Sequence, residues 1–163
     1  AMLARALGAR RILGVDTVEA RMNIAMEKKL CDGVFMSDSS ALEKILDLTN
    51  GNGVERAVDC SGNTYGRQLA IRATGKVVFI GEGGTCEFTP SPDIIHGQKT
   101  IYGSWVTNLW RMEELVERIE RWGIHPEELI THRFSLEHVA DGFALMNEGK
   151  CGKVAICFDE ELK

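Results

Sequence analysis

Short apolar runs alternate along most of the chain with segments whose apolar residues recur every three or four positions. The short runs are typical of strands covered on both faces, and the recurring pattern is typical of amphipathic helices. Strands are predicted over 11–16, 34–36, 54–60, 76–80, 99–106, 129–134 and 153–158. Helices are predicted over 1–9, 18–30, 64–73, 109–122 and 136–147, with one more beginning at Ser39 or Ser40. Such alternation predicts parallel strands joined by right-handed crossovers.

The same periodicity predicts which side chains face the interior and where the chain turns. Asn50-Gly51-Asn52-Gly53 is strong turn chemistry. Three helices are assigned an inward face made of Met22, Met26 and Leu30; of Leu115, Ile119 and Trp122; and of Val139, Phe143 and Met146.

Composition narrows the class of protein. The 163 residues are 44% hydrophobic and 26% charged with a formal net charge of -5, which predicts a globular domain and argues against nucleic acid or an anionic membrane as partner. No apolar stretch approaches the roughly 18 residues that span a bilayer, and no signal peptide is expected. The five cysteines are isolated, without a Cys-x-x-Cys pair, so we expect buried reduced thiols in a cytoplasmic protein and no structural zinc lobe.

Asp16 closes the first apolar run. An acidic residue at a strand end is where a dinucleotide-binding domain accepts the adenosine ribose hydroxyls and repels the 2′-phosphate of NADP. The glycine-rich phosphate loop should lie about 20 residues upstream, and counting back from Asp16 passes the start of the chain. The sequence is therefore expected to begin inside the first helix of such a domain, after its first strand and glycine loop. The alternative is that Asp16 only caps the helix that follows it.

Several ordered blocks of sequence carry a family resemblance: ALGARRILGVD, GNGVERAVDCSG, GKVVFIG, KTIYGSW and ITHRFSLEHVADGFALMNEGKCGKV. Together they resemble the C-terminal, cofactor-binding half of the medium-chain dehydrogenases, and within these the zinc-type alcohol, polyol and threonine dehydrogenases. The resemblance implies an α/β fold with a Rossmann-like doubly wound parallel sheet lacking its first strand and a C-terminal strand–helix–strand appendage. It divides the chain into a partial dinucleotide-binding domain, 1–122, and a segment, 123–163, that returns to the catalytic domain.

The resemblance also assigns cofactor contacts. Beside Asp16, Arg21 would cover the adenine or ribose edge, with a solvated helix face as the alternative. The segments after two strands would run beneath the dinucleotide, although Gly62 could merely open the next helix and 81–84 could be a plain turn. Trp105 would lie in the segment that touches the nicotinamide carboxamide. A role in an interface or in the core would explain an aromatic residue there equally well. The residues that the resemblance places at the cofactor are Asp16, Arg21, Cys60, Ser61, Gly62, Gly81, Glu82, Gly83, Trp105, Val106 and, near the pyrophosphate, Lys153.

No catalytic or metal-binding residue is expected in this chain. The family's zinc is held by its catalytic domain, and the histidines here have no partner at metal-ligand spacing. We expect surface or capping roles for His96, His125, His132 and His138. A Tyr-x-x-x-Lys pair of the short-chain dehydrogenase type is missing as well.

Two functions follow from these observations. The first is the cofactor-binding portion of an NAD-dependent, zinc-dependent alcohol or polyol dehydrogenase, and the second is a self-associating module that no longer binds cofactor. A methyltransferase-like domain is disfavoured by the C-terminal block. Without the phosphate loop, NAD affinity is expected to be millimolar or undetectable. Loss of a central strand would leave two open edges, so the sheet would close in a new strand order or take a strand from a second copy in a homodimer.

Overall fold

The structure, a computed structural model, describes residues 1–158, and residues 159–163 lie outside the described part. Strands alternate with helices over most of this length. The helices are α1 (Met2–Ala6), α2 (Glu19–Glu27), α3 (Ala41–Leu48), α4 (Thr64–Ala73), α5 (Leu109–Trp122) and α6 (Val139–Glu148). The strands are β1 (Leu13–Asp16), β2 (Gly33–Met36), β3 (Val54–Asp59), β4 (Thr74–Phe79), β5 (Thr100–Gly103), β6 (Ile130–Ser135) and β7 (Lys153–Cys157). Short turns of π and 3₁₀ helix cover Pro90–Ile95, Pro126–Leu129 and Leu136–His138.

The chain folds as two compact units. Of the described residues, one unit contains Ala1–Met36 together with 109–158, and the other contains Ser37–Asn108. We call them the outer-segment unit and the central unit, after their positions in the sequence. The boundary at residue 122 that the family resemblance implies concerns a catalytic domain and stays a prediction.

All strand pairs of the described residues are parallel, which confirms the predicted α/β class. The outer-segment unit holds the pairs β1–β2 and β6–β7, and the central unit holds the order β3–β4–β5. The expected closure of one sheet in a new strand order is wrong for residues 1–158, since β1 pairs only with β2 and β3 only with β4. β1 and β3 each have a hydrogen-bonded neighbour on one side only, so each strand keeps one open edge.

The core of the central unit forms where α4 packs on β3, β4 and α3. Ile71 is 1% exposed and Val77 is 2% exposed, and Ala41, Ile45, Leu69 and Ala73 are also buried. The predicted turn at 50–53 brings the chain into β3 with positive φ at Asn50, Gly51 and Gly53. This well-packed core supports the ends of β3 and β4.

The outer-segment unit buries fewer side chains, and its predicted inward faces are partly wrong. Met22, Cys151 and Cys157 are buried, and Leu30, Ile119, Trp122 and Val139 are half-buried. The side chains predicted to be inward but found exposed are Met26, Leu115, Phe143 and Met146. Phe143 alone keeps 63% of its surface exposed. A helical apolar stripe is buried only where another layer covers it, and these residues lack such cover within the described chain.

The two helices of the central unit, α3 and α4, differ in how their N-termini are capped. The predicted side-chain cap by Ser39 or Ser40 on α3 is wrong: Ser40 stands at the N-cap, but no helical N–H donates to its hydroxyl, which itself donates to Asp38 Oδ1 at 2.5 Å. A capping serine normally has extended backbone angles, whereas Ser40 has helical ones, with a φ of -90° and a ψ of -10°. At α4, by contrast, Asn63 Oδ1 accepts from the backbone N–H of Tyr65 at 2.8 Å and of Gly66 at 3.4 Å.

We therefore expect Asn63→Ala to lower the free energy of unfolding by about 1 kcal/mol, because two helical N–H groups lose their acceptor. Ser40→Ala is the matched control, with an expected change below about 0.5 kcal/mol. Urea denaturation followed by circular dichroism measures both. Equal losses in the two variants would contradict the assignment of the Asn63 cap.

Candidate functional site

The carboxyl ends of three parallel strands meet at one edge of the central unit. Asp59 pairs in register with Phe79, and Phe79 with Gly103, so β3, β4 and β5 end side by side. The Ser104 N–H continues this alignment by donating to the Phe79 carbonyl at 3.0 Å. We call the segments 60–62, 81–84 and 104–106 the carboxyl edge. It contains eight of the eleven predicted cofactor residues: Cys60, Ser61, Gly62, Gly81, Glu82, Gly83, Trp105 and Val106.

Two glycines allow the backbones after β3 and β4 to touch. The N–H groups of Ile80 and Gly81 both donate to the Asp59 carbonyl, at 2.9 and 3.0 Å. A Cβ on Gly62, which has a φ of +63°, would lie 2.0 Å from the Glu82 carbonyl oxygen. A Cβ on Gly81 would lie 2.2 Å from the Gly62 nitrogen. Gly62 and Gly81 are thus required by the crossing of two backbones, whatever ligand the edge binds.

A buried carboxylate that the sequence analysis missed organises the end of β3. The Asp59 side chain is 3% exposed. Its Oδ1 accepts from the Ser61 hydroxyl at 2.6 Å and the Ser61 N–H at 3.2 Å, and its Oδ2 accepts from the Gly62 N–H at 3.2 Å. The signal in the sequence is an aspartate directly after the apolar pair Ala57-Val58, at the end of a predicted strand.

Arg67, in the second turn of α4, faces this carboxylate and also holds the end of β4. Its Nε lies 3.6 Å from Asp59 Oδ2. Its Nη2 donates to the Gly81 carbonyl at 2.7 Å and its Nη1 to the Gly84 carbonyl at 3.1 Å. The guanidinium also lies over the Phe79 ring, 5.6 Å from its centroid. We call these two residues the Asp59–Arg67 pair; together they join both strand ends.

The side chains of the carboxyl edge point largely to solvent. Trp105 is 68% exposed and Val106 is 77% exposed with a φ of +40°, so the core alternative for Trp105 is wrong. Cys60 is also exposed, which corrects the expectation of buried thiols at this position, because it leaves β3 at the edge. Cys86 is half-buried, and burial raises the pKa of its thiol despite the nearby Arg67 charge.

Asp16 occupies the end of β1 in the outer-segment unit. Its Oδ1 accepts from the Val18 N–H at 2.9 Å, just before α2 begins at Glu19. Because Val18 is the N-cap residue of α2, this bond closes a turn ahead of the helix and gives no acceptor to a helical N–H, so the capping alternative is not confirmed. This turn engages one carboxylate oxygen, and the ribose contact predicted for Asp16 stays a prediction.

Arg21 and Lys153 also belong to the outer-segment unit. The Arg21 guanidinium lies against the backbone of Gly149, where its Nη2 would be 3.4 Å from a Cβ on that glycine. Lys153 opens β7 with an exposed side chain. Both are available to solvent, and their predicted roles at the cofactor remain predictions.

The described residues do not fit a zinc site. Within residues 1–158 no group of three His, Cys, Asp or Glu side chains is placed to hold a metal ion. His125 Nδ1 lies 2.8 Å from Glu127 Oε1, and His138 Nδ1 lies 2.9 Å from Asp141 Oδ2. These exposed local pairs match the surface roles that the sequence predicts. Among the described helices, none has the length and apolar character to cross a membrane.

Parallel strands, crossover helices and glycines at the strand ends define the class: an α/β domain of the Rossmann type, which binds ligands outside the carboxyl ends of its strands. The profile of the zinc-binding dehydrogenases matches residues 1–121. The chain therefore belongs to the zinc-binding dehydrogenase family, among the medium-chain alcohol dehydrogenase-type oxidoreductases, as a cofactor-binding domain.

Individual relatives agree with this assignment. The chain is 45% identical over 163 residues to the zinc-type alcohol dehydrogenase-like protein YphC of Escherichia coli K12, covering 98% of the chain and 46% of that protein. It is 30% identical over 160 residues to the L-threonine 3-dehydrogenase of Bacillus licheniformis, covering 94% of the chain and 46% of that enzyme. The chain thus spans about half the length of the curated relatives it matches.

The solved structures share the fold. An alcohol dehydrogenase from Escherichia coli CFT073, crystallised with NADH, superposes with a TM-score of 0.80 at 20% identity. The superposition covers 96% of the chain and 48% of that structure.

Proposed function

We propose that the chain is the cofactor-binding portion of an NAD-dependent, zinc-dependent alcohol or polyol dehydrogenase. In the whole protein a hydride would pass between NAD and a primary or secondary alcohol. The observation that carries this proposal is the carboxyl edge. Three parallel strands end there together, and glycines without side chains let a ligand approach the backbone closely. The NADH-bound relative and the family assignment support it.

Each part of the chain has a role in this proposal. Asp16 would accept the adenosine ribose hydroxyls through the carboxylate oxygen that Val18 leaves open, and its charge disfavours NADP. Arg21 would cover the adenine side, and Lys153 would lie near the pyrophosphate. The backbone of the carboxyl edge would carry the rest of the dinucleotide, with 104–106 at the nicotinamide carboxamide. When bound, NAD supplies the hydride acceptor, and the chain's own contribution is to bind and orient it.

The described residues do not supply a zinc ligand set, so no step through zinc is derived from them. We also propose a cytoplasmic location, because the five cysteines are isolated in the sequence and form no Cys-x-x-Cys pair, a pattern typical of reduced thiols.

Titration of the 163-residue chain with NADH, followed by NMR of the backbone amides, tests the proposal. We expect saturable shifts at residues 16–18, 60–62 and 81–84 with a dissociation constant of about 1 mM or weaker, because the sequence has no Gly-x-Gly-x-x-Gly loop to bind the pyrophosphate. Asp16→Ala should weaken binding about tenfold, through loss of hydrogen bonds to the ribose. Asp47→Ala, which changes an exposed aspartate of α3, should leave binding unchanged.

Shifts that are absent at all three segments would contradict NAD binding and favour the self-associating module. A dissociation constant in the tens of micromolar would contradict only the expected weakness. An Asp16→Ala variant that binds like the native chain would show that Asp16 serves the α2 turn alone.

We further propose that the chain forms a homodimer through β5. This strand is at the edge of the β3–β4–β5 sheet, with Tyr102 54% exposed and Trp105 68% exposed beyond its end. An open, apolar edge strand favours pairing with another copy.

Light scattering after size exclusion should give a mass of about twice the 18.0 kDa of one chain. Trp105→Asp should lower this mass to that of a single chain. Phe88→Asp, at another exposed aromatic of the central unit, is the control, and a monomeric native chain would contradict the proposal.

A further inference from the structure

We propose that the Asp59–Arg67 pair is a positioning device that sets the carboxyl edge before a ligand arrives. Arg67, oriented by Asp59, fixes the carbonyl oxygens of Gly81 and Gly84 and thereby the course of the segment after β4. The identity of the ligand rests on the proposed function, whereas the ordering of the edge does not.

The hydrogen-bond geometry separates two roles within Arg67. Its two terminal nitrogens donate hydrogen bonds to the Gly81 and Gly84 carbonyls, at 2.7 and 3.1 Å. Its Nε is buried without a hydrogen-bond partner and lies 3.6 Å from Asp59, beyond ordinary hydrogen-bond length. Asp59 therefore attracts the guanidinium by charge, and the planar fork itself holds the loop.

Asp59 holds the segment after β3, residues 61–62, by hydrogen bonds. Its two carboxylate oxygens accept from Ser61 and Gly62, and the Ser61 hydroxyl in turn accepts from the Asn63 N–H at 3.1 Å. Electrostatic attraction across 3.6 Å thus joins a carboxylate that orders 61–62 to a guanidinium that orders 81–84. Neither residue needs to touch the ligand, so both act by holding the backbone that does.

If Arg67 served only to neutralise Asp59, any buried cation would replace it. A lysine keeps the charge but is a single point donor and lacks the rigid fork that reaches two carbonyls. Arg67→Lys therefore distinguishes charge balance from positioning. Sites that bind weakly are sensitive to this difference, because a preorganised backbone avoids the cost of ordering on binding.

The test compares Arg67→Lys with the native 163-residue chain by amide hydrogen exchange and by NADH titration, both read by NMR. We expect a folded variant whose hydrogen-bonded amides next to this loop, those of Ile80, Gly81 and Thr85, exchange about tenfold faster, while those of α4 and β3 are unchanged. NADH binding should weaken by about tenfold. Arg72→Lys is the matched control on the same helix, since Arg72 is 53% exposed and lies 3.8 Å from Asp93; it should behave as the native chain.

Native exchange of the Ile80, Gly81 and Thr85 amides in Arg67→Lys would overturn the proposal, because charge balance would then suffice. Faster exchange there, combined with an absence of NADH shifts in the native chain, would support positioning and contradict the proposed function. Should Arg67→Lys fail to fold, Asp59→Asn/Arg67→Met removes both buried charges together. Unchanged exchange of the same three amides in that double variant overturns the proposal equally, and faster exchange supports it.

Discussion

Arg67→Ala is expected to lower the free energy of unfolding by about 3–5 kcal/mol, because it leaves a buried charge without its partner. Asp59 is 3% exposed at its side chain and Arg67 is 12% exposed, so solvent cannot replace the guanidinium without opening the edge. The carbonyls of Gly81 and Gly84 lose their donors at the same time.

Urea denaturation of Arg67→Ala and Arg72→Ala makes the comparison on one helix. Arg72 is 53% exposed and its ion pair with Asp93 is long, at 3.8 Å, so the expected loss there is below about 1 kcal/mol. A loss below about 1 kcal/mol in Arg67→Ala as well would show that Asp59 is compensated by its N–H donors alone.

Gly62→Ala is the second change with a large expected effect, about 2–5 kcal/mol of unfolding free energy. Two costs combine: an L side chain at positive φ costs about 1–2 kcal/mol, and overpacking adds about 1–3 kcal/mol. The added Cβ would lie 2.0 Å from the Glu82 carbonyl oxygen, and this neighbour is backbone that cannot rotate away.

Gly51→Ala isolates the first of these costs. Gly51 has a φ of +79°, but a Cβ there meets nothing within 4 Å. Its expected loss is about 1 kcal/mol, measured by the same denaturation experiment. Equal losses in Gly51→Ala and Gly62→Ala would contradict the view that the strand ends are in backbone contact.

Local sequence signals predicted the elements of this fold well. The bounds of α4 and α5 match the predicted 64–73 and 109–122, because each follows a clear start signal and a sustained helical period. The parallel pairing followed from the alternation of strands and helices. The side-by-side placement of 60–62, 81–83 and 105–106 followed too, since parallel strands end at a common edge.

The errors have a common physical origin in contacts that a local pattern does not contain. The stripe through Leu115, and the one through Phe143, have helical spacing, but spacing does not supply the layer that covers them. The cap at Ser40 failed because Ser40 has helical backbone angles, in a turn where Asp38 Oδ1 accepts from both its N–H and its hydroxyl. The predicted stripes and the predicted cap each describe a single helix. Whether a stripe is buried, or a cap forms, depends also on the residues that lie next to that helix.

The Asp59–Arg67 pair shows the same limit within the candidate site. The two residues are eight positions apart, and they meet because α4 packs back on β3 and β4. The hydrogen bonds of Arg67 reach a further 14 and 17 residues along the chain. The sequence shows Asp59 as a charge directly after Ala57-Val58 at a strand end, but it does not identify the partner of that charge.

For protein engineering, the crossing of Gly62 and Gly81 divides the carboxyl edge into positions that tolerate randomisation and positions that do not. Gly62 and Gly81 admit no side chain, so libraries that include them would consist mostly of unfolded variants. Cys60 and Glu82 lie in the same two segments as these glycines and are exposed. Directed evolution of ligand preference at this edge should therefore sample those two codons and leave the glycine codons invariant.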